Sequence, residues 1–557
     1  MPAAAVLTCL TLTLGSVPLP GTSSVTVPLS PPSACARCHG GFDPTGAAFD
    51  TWAGSAMGHS ARDPLFLAAL VQAEEDRPGV GDFCLRCHAP EAWLQGRCDP
   101  TDGSALEEGD SGVTCSVCHR MDETPWVRNA QYIVGNDSDL RGPYGGDSAP
   151  HHQQKSAWIS DPKLCGTCHD LINPLVRRRD LDGTEMPYNF PEQTTYSEWL
   201  ASDFVQEDKD CIDCHMPEVS GPVSDSTGTR EDRSSHALAG GNAFLLDAIG
   251  FLEPGLGLSS QLARGRARIV AMLESAAKLD VVAPEKVGRG ETLELEITVT
   301  NLSGHKLPTG YPDGRRVFLS VSSEALGLAR GHYDVMSGEP VDPLVVYHVE
   351  HGQSGQGPGS HLALNDTVYF DNRIPPRGFV STPTTAPVGK TYPESRPGHM
   401  AHYDVQTLSS TVSCSAMWQK ASIQVELWYQ STTKEHLETL IEGAGQTEHA
   451  QRLALVADSV SYAPIRMSSK TVEVVLESDS SCDPPDAGVR PDIGSPDSGP
   501  SQSPKDASVV DVGVESTEEK HCACNVTKRN RSYGDYWMLV VLFGLCRTRN
   551  RFSGKKE

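Results

Sequence analysis

The chain has 557 residues, 38% hydrophobic and 21% charged, and 72 Asp and Glu against 46 Lys and Arg give a formal net charge of −26. That length exceeds what one core usually supports, so more than one domain is expected. The acidic balance disfavours nucleic acid and anionic membrane surfaces, both gripped by cations, and no apolar run reaches the roughly 18–20 residues of a spanning helix.

Residues 1–24 read as an export signal: an apolar region from Ala3 to Leu14, then Gly15-Ser16-Val17 and a Pro/Ser/Thr stretch, with cleavage within 15–24. No Lys or Arg precedes the apolar region, which departs from the usual pattern.

Residues 31–245 carry the main chemistry. One pattern recurs five times: Cys35-Ala-Arg-Cys38-His39, Cys84-Leu-Arg-Cys87-His88, Cys115-Ser-Val-Cys118-His119, Cys165-Gly-Thr-Cys168-His169 and Cys211-Ile-Asp-Cys214-His215. With 17 Cys and 19 His in the chain, chance would give roughly 0.02 copies. Two thiols two residues apart can add across the two vinyl groups of one haem, and the adjacent histidine then reaches the iron. Zinc sites do not need a histidine directly after each Cys pair, and a thioredoxin-like redox motif would occur once. Five covalent haems c are therefore expected, held by Cys35, Cys38, Cys84, Cys87, Cys115, Cys118, Cys165, Cys168, Cys211 and Cys214, with His39, His88, His119, His169 and His215 as proximal ligands. Motif starts lie 49, 31, 50 and 46 residues apart, and the short gap points to a close haem pair at the second and third motifs. Haem attachment to thiols takes place outside the cytoplasm, so the protein is expected in the periplasm or on the cell surface of a bacterium.

Each iron has a sixth position. A second His or a Met there gives an electron-transfer haem, whereas an open position allows chemistry on a substrate. Candidates are Met57 and His59, of which one would ligate; His151 and His152, of which one would ligate; and His236, flanked by the small residues of Ser234 to Gly241. His305, in Asn301-Leu302-Ser303-Gly304-His305-Lys306-Leu307-Pro308-Thr309-Gly310, is either a ligand projected from a loop after a strand or a turn histidine that shapes that loop.

After the motifs comes a bridging segment, 246–278, with an amphipathic helix from Leu258 to Lys278. The period then changes. Leu293, Leu295, Ile297 and Val299 alternate with Glu and Thr, as in a strand with one buried face. Val317 to Val321, Val345 to Val349, Ile423 to Trp428 and Val472 to Leu476 repeat the theme. Residues 279–478 read as a β-sandwich of immunoglobulin-like class, with a helical insertion at about Lys434 to Val456. Residues 479–520 are rich in Pro, Asp, Ser and Gly and read as a disordered linker. Residues 521–557 combine His521-Cys522-Ala523-Cys524, an apolar run from Tyr536 to Cys546 that is too short to span a membrane comfortably, and a basic end that suits retention on the cytoplasmic side. The fold expected is thus multidomain: a haem-packed, mainly α and loop cytochrome domain followed by an all-β immunoglobulin-like sandwich.

The segments Trp52 to Phe66, Asp82 to Arg97, Gly112 to Arg120, Leu164 to Asp170 and Asp210 to Pro217 resemble multihaem c-type cytochromes, in the group that includes the tetrahaem carriers of nitrification. The resemblance implies methionine ligation at Met57, and the Gly-His-Lys-Leu-Pro-Thr-Gly segment resembles a feature of multihaem proteins with a β domain. The C-terminus resembles a myxobacterial sorting tag, which implies anchoring at the envelope. Candidate distal ligands for all five irons favour electron transfer between redox partner proteins over catalysis. The alternative is an oxidoreductase acting on a small nitrogen or sulfur compound at a five-coordinate haem. For it, the run Arg177-Arg178-Arg179 could offset the acidic surface and admit an anion.

Overall fold

The computed structural model describes residues 19–146, 149–359, 362–478 and 482; the export signal up to residue 18, the linker apart from Cys482, and the C-terminal tail lie outside the described residues. Short helices carry the motifs. They include α1 (Pro32–His39), α2 (Pro64–Asp76), α3 (Gly81–His88), α4 (Cys115–His119), α5 (Pro162–Gly166), α6 (Thr195–Leu200) and α7 (Cys211–His215). Local chemistry starts them. Asp161 and Asp63 accept from the second helical amide of α5 and α2, each ahead of a proline at the first helical position. Asp210 and Asp213 form a reciprocal capping box on α7. Upstream, Thr22 already belongs to the fold, its amide donating to the Tyr132 carbonyl at 2.9 Å.

A hairpin of two nine-residue strands, β1 (Leu171–Arg179) and β2 (Glu185–Gln193), interrupts the motif region. It was not foreseen among the helices and loops. Pro174, Pro187 and Pro191 break its alternation, and prolines in a run argue against a regular strand; the register accordingly shifts at several points.

Two helices follow, α8 (Ala243–Leu252) and α9 (Ser259–Ser275). The second is the amphipathic helix read from the sequence, and Leu262, Ile269 and Leu273 are its buried stripe. A Cβ on Gly265 would collide with the Gly54 carbonyl, so α9 lies flush on the loop that leads to Met57.

The remaining strands are β3 (Ala277–Val282), β4 (Thr292–Asn301), β5 (Arg316–Ser323), β6 (Val349–Gln353), β7 (Thr367–Asp371), β8 (Tyr403–Thr411), β9 (Lys420–Gln430) and β10 (Ile465–Glu477). In one sheet β4 lies between β8 and β3; in a larger one β9 lies between β5 and β10. Inward residues of both sheets share one apolar core, including Leu295, Ile297, Val299, Leu319, Val321, Ile423 and Val425. Along β4 the burial alternates residue by residue, because successive side chains point to opposite faces. The helical insertion is two helices, α10 (Lys434–Gly443) and α11 (Glu448–Ser459). Leu437, Leu440, Leu453 and Val456 pack on Ala68 of α2.

The expected division between a motif domain and a β domain is crossed by this helix packing and by a five-stranded sheet, among other contacts. In that sheet β7 pairs in parallel with β1, Thr367 opposite Arg179, and β6 continues it on the other side. A disulfide, Cys414–Cys482 with Cα atoms 5.4 Å apart, ties the residue beyond β10 to the loop before β9. The sequence had left both cysteines without partners.

Ile297 has no accessible surface, so Ile297→Ala should lower stability by about 2–5 kcal/mol through lost burial and an unfilled cavity. A fall in the urea midpoint with an unchanged slope is the expected result.

Candidate haem-binding site

The ten motif cysteines form no disulfides. Six of them pair across motifs: Cys35 faces Cys115, Cys87 faces Cys168, and Cys165 faces Cys211, each pair perturbing the other's ionisation. Cys118 also lies within electrostatic reach of Cys168. The first motif therefore adjoins the third, the third adjoins the fourth, and the fourth adjoins the second and fifth. The second and third motifs pack in one apolar cluster with Leu85, Ala89 and Val117, while the thiol pairs follow an order that departs from that of the chain.

Three motif histidines each face a second histidine. Ring centroids lie 6.4 Å apart for His39 and His151, 6.2 Å for His119 and His236, and 6.4 Å for His215 and His305. An iron bound by two imidazole nitrogens at about 2 Å each holds the ring centroids about 6.3 Å apart. The three pairs have the spacing of axial ligands on opposite sides of one metal, too wide for direct stacking.

The same three motif histidines are oriented from behind. The Nδ1 of His39 lies 2.9 Å from the Val223 carbonyl, that of His119 2.7 Å from the Arg141 carbonyl, and that of His215 2.5 Å from the Ala239 carbonyl. An Nδ1–H held this way fixes the tautomer and turns Nε2 toward the metal side. Surrounding protein desolvates His88, His169 and His236 and pushes each down to about 4, although His88 and His169 retain accessible surface. They are neutral at pH 7, the form in which imidazole binds a metal. Thiols free to form thioethers, oriented neutral imidazoles and axial spacing together fit haem c.

The other candidates fall in different places. His152 is exposed and pairs through Nδ1 with Asp139 at 2.9 Å, whereas its neighbour His151 faces His39. His59 is buried and its Nε2 meets the Ala53 carbonyl at 2.9 Å. Met57 is half-buried at the start of the same turn, and Ser60 of that turn donates to the His88 carbonyl at 2.7 Å, so the turn lies against the second motif. The His88 ring stacks on Phe66 at 4.0 Å and 2°. His169 meets Gln193 of β2, Nδ1 to Nε2 at 3.3 Å.

Sequence reasoning missed what holds His305. Asn301 donates to the His305 carbonyl at 2.7 Å. Beyond it, the fully buried Glu198 of α6 accepts from the Lys306 amide at 3.1 Å, the Thr309 hydroxyl at 2.9 Å and the Thr194 hydroxyl at 2.9 Å. Lys306, with 0% of its side chain exposed, reaches Asp371 at 2.7 Å; Arg373 spans Asp371 at 2.8 Å and Glu198 at 3.3 Å. The cluster holds two carboxylates and two cations. Burial alone would raise Glu198 and Asp371, but Arg373 first and Lys306 second hold both below the usual carboxylate range. A lysine directly after the histidine, inside an otherwise apolar and turn-forming segment, was the available signal.

No protein-family model matches the chain, and neither does any curated protein. Among solved structures, the chain is similar to a penta-haem cytochrome c552 from Thermochromatium tepidum, with 16% identity over 80% of this chain and 100% of that one, at a TM-score of 0.49. A second similar structure is AvmM, described as catalysing macrocyclisation in alchivemycin A biosynthesis, with 11% identity over 37% of this chain and 90% of that one, at a TM-score of 0.16. Both TM-scores are too low to bear on function.

Removing one member of the buried cluster leaves charge uncompensated, so Glu198→Ala should cost about 3–5 kcal/mol in chemical denaturation. Because the folded-state acids titrate below their unfolded values, their contribution is present above about pH 4 and lost as pH falls below it. The urea midpoint should drop between pH 5 and pH 3, and drop less in Asp371→Asn.

Proposed function

We propose that the chain is a multihaem c-type cytochrome that transfers electrons through five covalently held haems c, one on each motif. The observation that carries this reading is the set of three imidazole pairs at axial spacing. Haem c supplies a one-electron iron couple at each motif. The protein's part is to orient and space the ligands. His39, His119 and His215 lend their Nδ1–H to backbone carbonyls, which makes Nε2 a better donor. His151, His236 and His305 supply the sixth positions. At the second motif we assign Met57, which starts the turn that Ser60 ties to the His88 carbonyl.

The thiol contacts support a path that runs from the first motif to the third and fourth and branches there to the second and fifth. The fourth motif is then the hub through which redox partner proteins on different faces would communicate. The β region, read as an immunoglobulin-like sandwich, contributes a ligand as well as a docking face. Motif chemistry places the mature chain outside the cytoplasm, in the periplasm or at the cell surface, with the C-terminal tail as its envelope anchor.

A second reading, an oxidoreductase for a small nitrogen or sulfur compound, is favoured at one place. His169 meets Gln193, and we assign it no axial partner among the described residues, so iron held there is where a substrate would bind.

Pyridine haemochrome quantitation should give five haems per chain. His305→Ala and His151→Ala should each keep all five while converting one low-spin electron paramagnetic resonance signal to high spin, and His152→Ala should change nothing. Low-spin spectra that survive both His305→Ala and His151→Ala would sink the axial assignments.

A further inference from the structure

The triple-arginine run is split by the alternation of β1. Arg177 and Arg179 point outward, while Arg178 is 8% exposed and lines a cavity between β1, β2, β6 and β7. Glu192 and His351, each 5% exposed, line the same cavity, as do Asp371 and Arg373. The space open to the centre of a water-sized solute is about 20 Å³, enough for about one to a few heavy atoms.

Three buried polar atoms of these walls have no hydrogen-bond partner: Arg178 Nε, Glu192 Oε2 and His351 Nδ1. Each side chain is otherwise anchored. Arg178 donates through Nη1 to the Pro383 carbonyl at 2.9 Å, and Glu192 accepts from Asn173 at 3.0 Å. His351 packs edge-on against Phe190 at 5.0 Å, with Asp313 3.7 Å from its Nδ1. An unpaired buried polar atom is costly, and three around one space call for a solute that satisfies them together.

Its chemistry follows from the walls. Burial raises Glu192 well above the usual carboxylate range, which favours its neutral, donating form. Arg373 is saturated by Asp371 and Glu198, whereas Arg178 has no carboxylate partner among the described residues. A guanidinium N–H and a carboxylic O–H that both lack acceptors favour an acceptor-rich, anionic guest.

We propose that this cavity binds a small oxyanion of three or four heavy atoms, held by the Nε–H of Arg178 and flanked by Glu192 and His351. The site adjoins the fourth motif, since Gln193 on its wall meets His169, but binding there does not depend on the haem reading. It absorbs the one basic feature that electron transfer leaves unused.

The test is titration calorimetry on the full haem-loaded chain with sodium nitrite, formate and sulfite. At least one should bind saturably at one site per chain. Arg178→Gln should weaken it about tenfold or more, while Glu192→Gln, which keeps a neutral donor, should stay within about threefold. Ala386→Leu, which narrows the cavity from a different segment, should reproduce the loss if Arg178→Gln does not fold. Absence of saturable binding for all three anions, or wild-type affinity in both Arg178→Gln and Ala386→Leu, overturns the site. Haem count and spin state, read in parallel, report on the electron-transfer assignment separately.

Discussion

The architecture turns on one juxtaposition: His215 from the last motif and His305 from the loop after β4, 6.4 Å between ring centroids. A metal ligand contributed from so far along the chain is useful only if its loop has one position. Backbone and side-chain bonds supply that constraint on both sides of the histidine. Asn301 grips the carbonyl of His305, and Glu198 grips the amide that follows. Glu198 stands between the fourth and fifth motifs, so the segment that carries the motif cysteines also clamps the loop that brings His305 to His215. In the proposed reading the β region is thereby part of the redox centre.

This explains which features were legible in the sequence. The five motifs were legible as a pattern, because residue type, order and spacing all fall within five consecutive positions. The strands around Leu295, Ile423 and Val474 were too, because each buries one face against a single core and so alternates. The amphipathic helix α9 showed its stripe for the same reason. His236, singled out by its small neighbours, lies 6.2 Å from His119 between ring centroids.

Other features were hidden for physical reasons. The β1–β2 hairpin carries three prolines and several bulges, and its pairing partner β7 lies far along the chain, so no local period marks it. His151 and His152 are adjacent and chemically identical; only the fold turns one toward His39 and the other toward Asp139. The order of motif contacts, first to third to fourth, depends on how helices of five to eight residues are set by long loops. Spacing along the chain carries little of that information. Buried charges are the extreme case, since Glu198, Lys306, Asp371 and Arg373 read individually as surface residues and acquire meaning only when assembled.

That assembly is hard to justify by stability alone. Taking two acids and two bases out of water costs several kcal/mol per ion before their attraction offsets it, and a well-packed apolar cluster of the same volume often does as well or better. What an apolar cluster lacks is direction. Hydrophobic contacts tolerate a small rotation or slip of the loop, whereas the Lys306–Asp371 ion pair and the bonds from the Lys306 amide and the Thr309 hydroxyl to Glu198 are lost by it, leaving charge stranded in the interior. The cluster therefore penalises every arrangement of the 301–309 loop except the one that sets His305 across from His215. If the pair holds a metal as proposed, that selectivity is worth more than the stability an apolar substitute would add.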